Sequence, residues 1–265
     1  RYAAIRRNIC CSRERKRFEM STFRLKIIAL ILMVIDHIGL YFSWAPGWFR
    51  LLGRGAYPLF LFCMIWGYHY TRDRRKYLLR LYLMGVFMGF FCYGMNTFFT
   101  PQGGYGNHNI FVPMFLVGVL ISTIELFEKD SKKGAMALAG IFAVQFLYYL
   151  SPMFLPFLRE LDGDILTAFL PNLAINEYGF TFVALGVVLY FVRENRKYLC
   201  AVYIIFCIYQ FSAEMLSSGS CVQCLMIIAL PFMLNYNHEK GPGMKYFFYI
   251  FYPAHTFLLF WLANH

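Results

Sequence analysis

The residues best placed for chemistry stand in one hydrophobic run, Lys26-Ile-Ile-Ala-Leu-Ile-Leu-Met-Val-Ile-Asp36-His37. On a helix, the eleven steps from Lys26 to His37 rise about 16.5 Å and return to within about 20° of the same direction. Both side chains therefore share one stripe, with a cation at one end and an imidazole deep in the apolar run. That arrangement suits an anionic cofactor whose reactive end reaches inward. It equally suits a snorkelling lysine and a histidine making a single interhelical hydrogen bond, since ionisable groups in lipid need a partner. Asp36 points about 100° away from His37. It reads first as an ion-pair partner for Arg54 or Arg80, and as a catalytic group only through His37.

A second cluster runs from Arg54 through Pro58 to Gly67-Tyr-His-Tyr-Thr-Arg72-Asp-Arg74-Arg75-Lys76 and on to Arg80. Arg72, Arg75 and Arg80 recur near helical spacing, and arginine forks match phosphate geometry. Simple anchoring at a membrane surface accounts for any one of them, least well for Arg80, which lies several residues into the next apolar segment. Asn109, the Glu177-Tyr178 pair and His255 each open or interrupt a further apolar run. Together they could supply polar groups to one outward-facing acceptor cavity, although capping or packing explains each singly.

Helices must hold these groups in place. Of 265 residues, 60% are hydrophobic and 15% are charged, against about 25% charged in soluble domains. The segments 23–43, 55–71, 76–98, 109–127, 134–150, 178–192, 198–215, 222–236 and 246–263 are apolar enough to span a bilayer. The expected fold is thus an all-α polytopic bundle of about nine transmembrane helices. Residues 151–176 read as a loop with a short interfacial helix, and Gly85 with Gly89 as a close helix contact.

The net charge of +11 does not imply nucleic acid, because the basic residues fall in the short connections. With the N-terminus in the cytoplasm, 22 of the 25 Lys and Arg lie inside and only Arg50, Arg54 and Arg159 lie outside, which decides the orientation. Residues 1–19 read as a basic extension, possessing no secretory cleavage pattern, and 20–265 as one membrane domain. The eight cysteines are scattered, and Cys221-Val-Gln-Cys224 lacks the second pair of a zinc site, so no metal is expected.

Seven ordered blocks resemble the TraX family of conjugative pilin N-acetylases. They are Leu25-Lys-Ile-Ile-Ala with Ile35-Asp-His-Ile-Gly, Leu52-Gly-Arg-Gly-Ala-Tyr-Pro-Leu-Phe-Leu-Phe, Gly67-Tyr-His-Tyr-Thr-Arg, Lys76-Tyr-Leu-Leu-Arg-Leu, Asn109-Ile-Phe, Glu177-Tyr-Gly and Lys245 to His255. The family is similar in turn to larger acyltransferase-3-like membrane enzymes that modify sugars. Those share a basic residue, ten residues and a histidine on the first helix, as Lys26 and His37 do. Trp66 stands where relatives often carry an acidic residue.

The resemblance implies a bacterial inner-membrane acetyltransferase. Acetyl-CoA would be the donor, with its phosphates on Lys26, Arg72, Arg75 and Arg80, and His37 catalytic beside Asp36. Arg54, Asn109, Glu177, Tyr178 and His255 would line the acceptor side. The acceptor would be a peptide N-terminus, a pilin-like protein or an envelope glycan. A transporter or flippase and a non-catalytic assembly factor are the alternatives.

Overall fold

A computed structural model describes residues 19–99, 104–159, 163–243 and 245–265, so most of the expected basic extension lies outside the described residues. Eleven α-helices and two 3-10 segments make up the described chain. Five of the helices are long and apolar enough to cross a membrane: 74–98, 111–129, 131–154, 196–218 and 246–264. Their continuous apolar runs fold as helices because a backbone in lipid must satisfy its own hydrogen bonds. Large apolar side chains such as Met136, Phe142, Ile205 and Leu216 remain outside the protein core, more than 60% exposed, as lipid-facing residues do. The chain is a membrane protein.

Helix α1 spans Thr22–Tyr41 and is capped by the Ser21 hydroxyl, which accepts from the Arg24 amide. Its first turn is also tied to the segment 235–240: the Thr22 and Phe23 amides donate to the carbonyls of Glu239 and Lys240. Short α2 (Trp48–Gly53) folds back against α1, in a stretch where the sequence suggests only a connection. Helix α3 (Ala56–Tyr70) is the centre of the bundle, with eleven of its fifteen residues buried. Pro58 lies in its first turn, where the missing amide proton costs nothing.

Helix α4 (Arg74–Phe98) starts at Asp73, whose carboxylate accepts from the Lys76 amide. A Cβ on Gly85 would lie 3.1 Å from Val112, and one on Gly89 would lie 2.6 Å from the Cβ of Ala168. The glycine pair therefore does permit close helix contact, with α5 (Phe111–Lys129) at one position and α7 (Gly163–Phe169) at the other. Helix α6 (Ser131–Phe154) runs longer than the expected span, and α7 is the short helix expected between 151 and 176.

Helices α8 (Gly179–Val192) and α9 (Arg196–Ser218) follow, the latter closed by Gly219 in the left-handed region at φ 68°. The expected span over 222–236 takes a different form: a 3-10 segment, Gln223–Ala229, leads into the five-residue α10, Leu230–Leu234. Pro231 at the start of α10 has no amide to continue a regular ladder, and Glu214 takes the Val222 and Gln223 amides at 2.7 and 2.8 Å. At roughly 20 Å of combined rise, the segment is shorter than the bilayer's apolar core of about 30 Å.

Helix α11 (Lys245–Asn264) runs parallel to α1, since Lys26 faces Phe248 and, further along both helices, His37 faces His255.

Candidate functional site

The C-terminal half of α1, the α2–α3 turn, the 104–110 connection, Glu177-Tyr178 and the C-terminal half of α11 surround one cavity of about 730 Å³. All these parts lie at the same end of the bundle, the end toward which α1 and α11 both run.

His37 sits on the cavity wall on the buried stripe Leu25, Ala29, Met33, His37. Its Nδ1 lies 2.8 Å from the Met33 carbonyl oxygen, one turn back. A carbonyl can only accept, so Nδ1 carries the hydrogen and Nε2 keeps a lone pair. His255 repeats the arrangement on α11, with Nδ1 donating to the Phe251 carbonyl at 2.9 Å and Nε2 buried without a partner. The rings of His108 and His255 each lie 5.0 Å from that of His37, edge to face. His108 is joined to Tyr41 by a 2.7 Å hydrogen bond between Nε2 and the hydroxyl. Burial, the largest influence, pulls the His108 imidazole down to about 4, so it is neutral. Among the described residues no group of His, Cys, Asp and Glu is arranged to hold a metal ion.

Asp36 turns away from His37, as helical geometry requires, and meets two guanidinium groups. Arg50 Nη1 lies 2.6 Å from one carboxylate oxygen and Arg54 Nη2 lies 3.3 Å from the other. Gly53 makes this possible, because a Cβ there would overlap the Asp36 side chain. Arg54 also donates to Gln223 at 3.3 Å. Of the two partners expected for Asp36, Arg54 is present and Arg80 is not. Arg80 lies elsewhere, on α4 near Tyr249 of α11, with its guanidinium 5.7 Å from the Tyr77 ring centroid.

On the opposite wall, Glu177 accepts the Asn109 amide at 2.6 Å, while the Asn109 side chain donates to the Gly85 carbonyl at 2.8 Å. Close packing around the Glu177 carboxyl, which precedes α8, pushes it up to about 8, with Asp164 adding to the rise and the Asn109 amide opposing it. Tyr178 stacks on Tyr57 at 3.5 Å between centroids.

The cationic candidates lie apart from this cavity. Lys26 rests over the Phe248 ring at 5.3 Å. Arg80 keeps a buried Nε without a partner. Both flank the N-terminal half of α11. Arg72 and Arg75 are exposed near the start of α4. The structure thus brings together Asp36, His37, Arg54, Glu177 and Tyr178 on one cavity, with Asn109 and His255 directly behind its wall. It leaves the four basic residues outside that lining. Sequence reasoning does not single out Tyr41 or Arg50, and from the 106–109 stretch it chooses Asn109 rather than His108. Tyr41 was accessible through its spacing of four from His37 on a helix; Arg50 and His108 depend on tertiary contacts.

A model of the TraX protein family matches residues 21–157 and 164–263. A probable fimbrial assembly protein FimC, serogroup H1, of Dichelobacter nodosus is 26% identical over 253 residues, covering 92% of this chain and 96% of that protein. The protein TraX of Escherichia coli is 40% identical over 72 residues, 26% of this chain and 28% of that protein. No solved structure matches. With the family model covering most of the chain, from the first helix to the last, this protein belongs to the TraX family.

Proposed function

We propose that this protein is a membrane acetyltransferase that moves an acetyl group from cytoplasmic acetyl-CoA to an amine or hydroxyl acceptor in the outward cavity. The observation that carries the reading is His37: its Nδ1 is committed to the Met33 carbonyl, so its basic Nε2 is left available at the cavity. Acetyl-CoA, when bound, supplies an activated thioester. His37 Nε2 takes the proton of the attacking amine or hydroxyl as the new bond to the acetyl carbon forms, and returns it to the departing thiolate. Such general-base help is worth about 10²–10⁴-fold in rate.

Lys26 and Arg80 are the residues of this chain suited to the anionic end of the donor. The unpartnered Arg80 Nε is a buried donor lacking an acceptor, and phosphate oxygens are strong acceptors for guanidinium. Arg72 and Arg75, exposed on the same side, add positive charge where a polyanion would approach. The orientation belongs to this reading. The split of basic residues places the start of α1 and the 72–80 segment in the cytoplasm of a bacterial inner membrane, with about nine crossings in all. The cavity then faces outward, toward a secreted peptide, pilin-like subunit or envelope glycan.

A second reading draws on the fimbrial assembly protein that aligns along nearly the whole chain: a non-catalytic assembly factor. Purified protein in detergent separates the two. The enzyme binds acetyl-CoA and releases CoA thiol, and His37→Gln keeps binding while losing release. Retention of near wild-type transfer by His37→Gln would overturn the role of His37; failure of the wild type to bind acetyl-CoA would favour the assembly factor.

A further inference from the structure

Acyl transfer requires two things of a protein: a base for the attacking group and a hydrogen-bond donor for the carbonyl oxygen, on which negative charge develops. His37 provides the first. We propose that the Tyr41 hydroxyl, held by His108, provides the second by donating to the carbonyl oxygen of the acyl donor. This rests on the acetyltransferase reading and adds a catalytic residue to it.

Tyr41 lies one helical turn beyond His37 on the same face of α1, with ring centroids 6.1 Å apart, and both line the cavity. The direction of the Tyr41 hydroxyl is set by its surroundings. His108 Nε2 approaches two oxygens, the Tyr105 carbonyl at 3.0 Å and the Tyr41 hydroxyl at 2.7 Å. The carbonyl cannot donate, so Nε2 carries the hydrogen and shares it with both. The Tyr41 oxygen is therefore an acceptor in its short bond. Its own proton is left with the Tyr105 carbonyl at 3.3 Å, a long contact that a better acceptor displaces. Accepting from the imidazole also polarises the hydroxyl and strengthens it as a donor.

The surroundings fix this pair firmly. The Tyr41 ring packs edge to face on Phe260 at 5.5 Å. Tyr105, whose carbonyl anchors His108, is itself tied to α11 through a hydrogen bond from its hydroxyl to Thr256. Donor and base thus both come from α1, and the donor is oriented by a polar connection braced against α11. Bond changes stay as in the transfer itself: the acetyl carbon gains the acceptor atom and loses sulfur, the proton moves through His37, and Tyr41 keeps its own proton throughout.

Two measurements on the full chain in detergent test the assignment. The first uses the protein alone: in ¹⁵N spectra of histidine-labelled protein, the His108 ring should carry its hydrogen on Nε2, and that resonance should move in Tyr41→Phe. A hydrogen on Nδ1 would make Tyr41 the donor to His108 and overturn the proposal. The second follows CoA thiol release from acetyl-CoA, with a short peptide bearing a free amino terminus as acceptor. Tyr41→Phe retains the ring contacts and should lower kcat about 10²–10³-fold, as loss of one such donor does, with KM for acetyl-CoA little changed. His108→Gln, which preserves an N–H donor, should retain more activity than His108→Ala. An active wild type with an equally active Tyr41→Phe overturns the assignment of Tyr41 alone, whereas a wild type that releases no thiol overturns it together with the acetyltransferase reading.

Discussion

Asp36 and Arg50 meet at 2.6 Å across the α1–α2 turn, and Arg54 closes on the other carboxylate oxygen at 3.3 Å. One anion therefore holds two cations on the cavity wall beside His37. Asp36→Asn would leave both guanidinium groups without their counter-charge. Breaking a fully buried pair costs about 3–5 kcal/mol, and partial exposure of Asp36 and Arg50, 18% and 30%, reduces that to about 2 kcal/mol. Thermal unfolding in detergent should show this loss, with turnover per folded molecule changing much less. A stable but inactive Asp36→Asn protein would instead make Asp36 part of the chemistry.

Gly89 is held against Ala168 with no room for a methyl group, since its Cβ would lie 2.6 Å from the Ala168 Cβ. Neither atom is the end of a flexible side chain, so α4 and α7 must separate. Gly89→Ala should destabilise the protein by about 1–3 kcal/mol. Gly85→Ala, at 3.1 Å from a valine methyl, should cost less. Equal stability of Gly89→Ala and wild type would mean that α7 does not pack on α4 in the membrane.

Arg80 should matter most to the phosphate end of the donor. If its buried Nε takes a phosphate oxygen, Arg80→Ala loses a charge-assisted bond and weakens CoA binding about tenfold or more. Binding of dephosphorylated pantetheine analogues should be nearly unaffected. Calorimetry with the two ligand types checks this, and equal losses for both would point to a general defect.

Glu177 sets a pH dependence whose sign follows from its raised affinity for protons. Its carboxyl is pushed from 4.5 up to about 8, so between those values the folded protein holds a proton that the unfolded chain releases. The stabilising contribution is complete below the unfolded value and is lost as pH rises through the folded one. Wild-type thermal stability should therefore decline from mildly acidic pH toward pH 8, and Glu177→Gln should flatten that decline. An unchanged slope in the variant would place the titration elsewhere.

Sidedness can be read by cysteine labelling in intact cells. Lys76 and Trp44 are both well exposed, at opposite ends of the bundle. In a background without reactive native thiols, Lys76→Cys should resist a membrane-impermeant maleimide and Trp44→Cys should react. The reverse pattern would invert the proposed orientation.

The sequence by itself determined the long helices, though not α2 or the form of 222–236, and which residues share a helical face. Apolar runs in lipid have one way to satisfy their backbone, and helical periodicity fixes local direction. This is why Leu25, Ala29, Met33 and His37 form one buried stripe and why Asp36 turns away from His37. The interruption of the expected 222–236 span was not read from the sequence: it follows from Pro231 together with the capture of the Val222 and Gln223 amides by Glu214. Tertiary structure alone decided which helices meet. Parallel packing of α1 and α11 set His255 against His37, the 104–110 connection brought His108 to Tyr41, and the bend at Gly53 gave Asp36 to Arg50 as well as Arg54. These contacts join residues far apart in the chain, or across a turn whose path depends on packing. Local propensity carries no information about them, because each is selected by the fit of several helices at once.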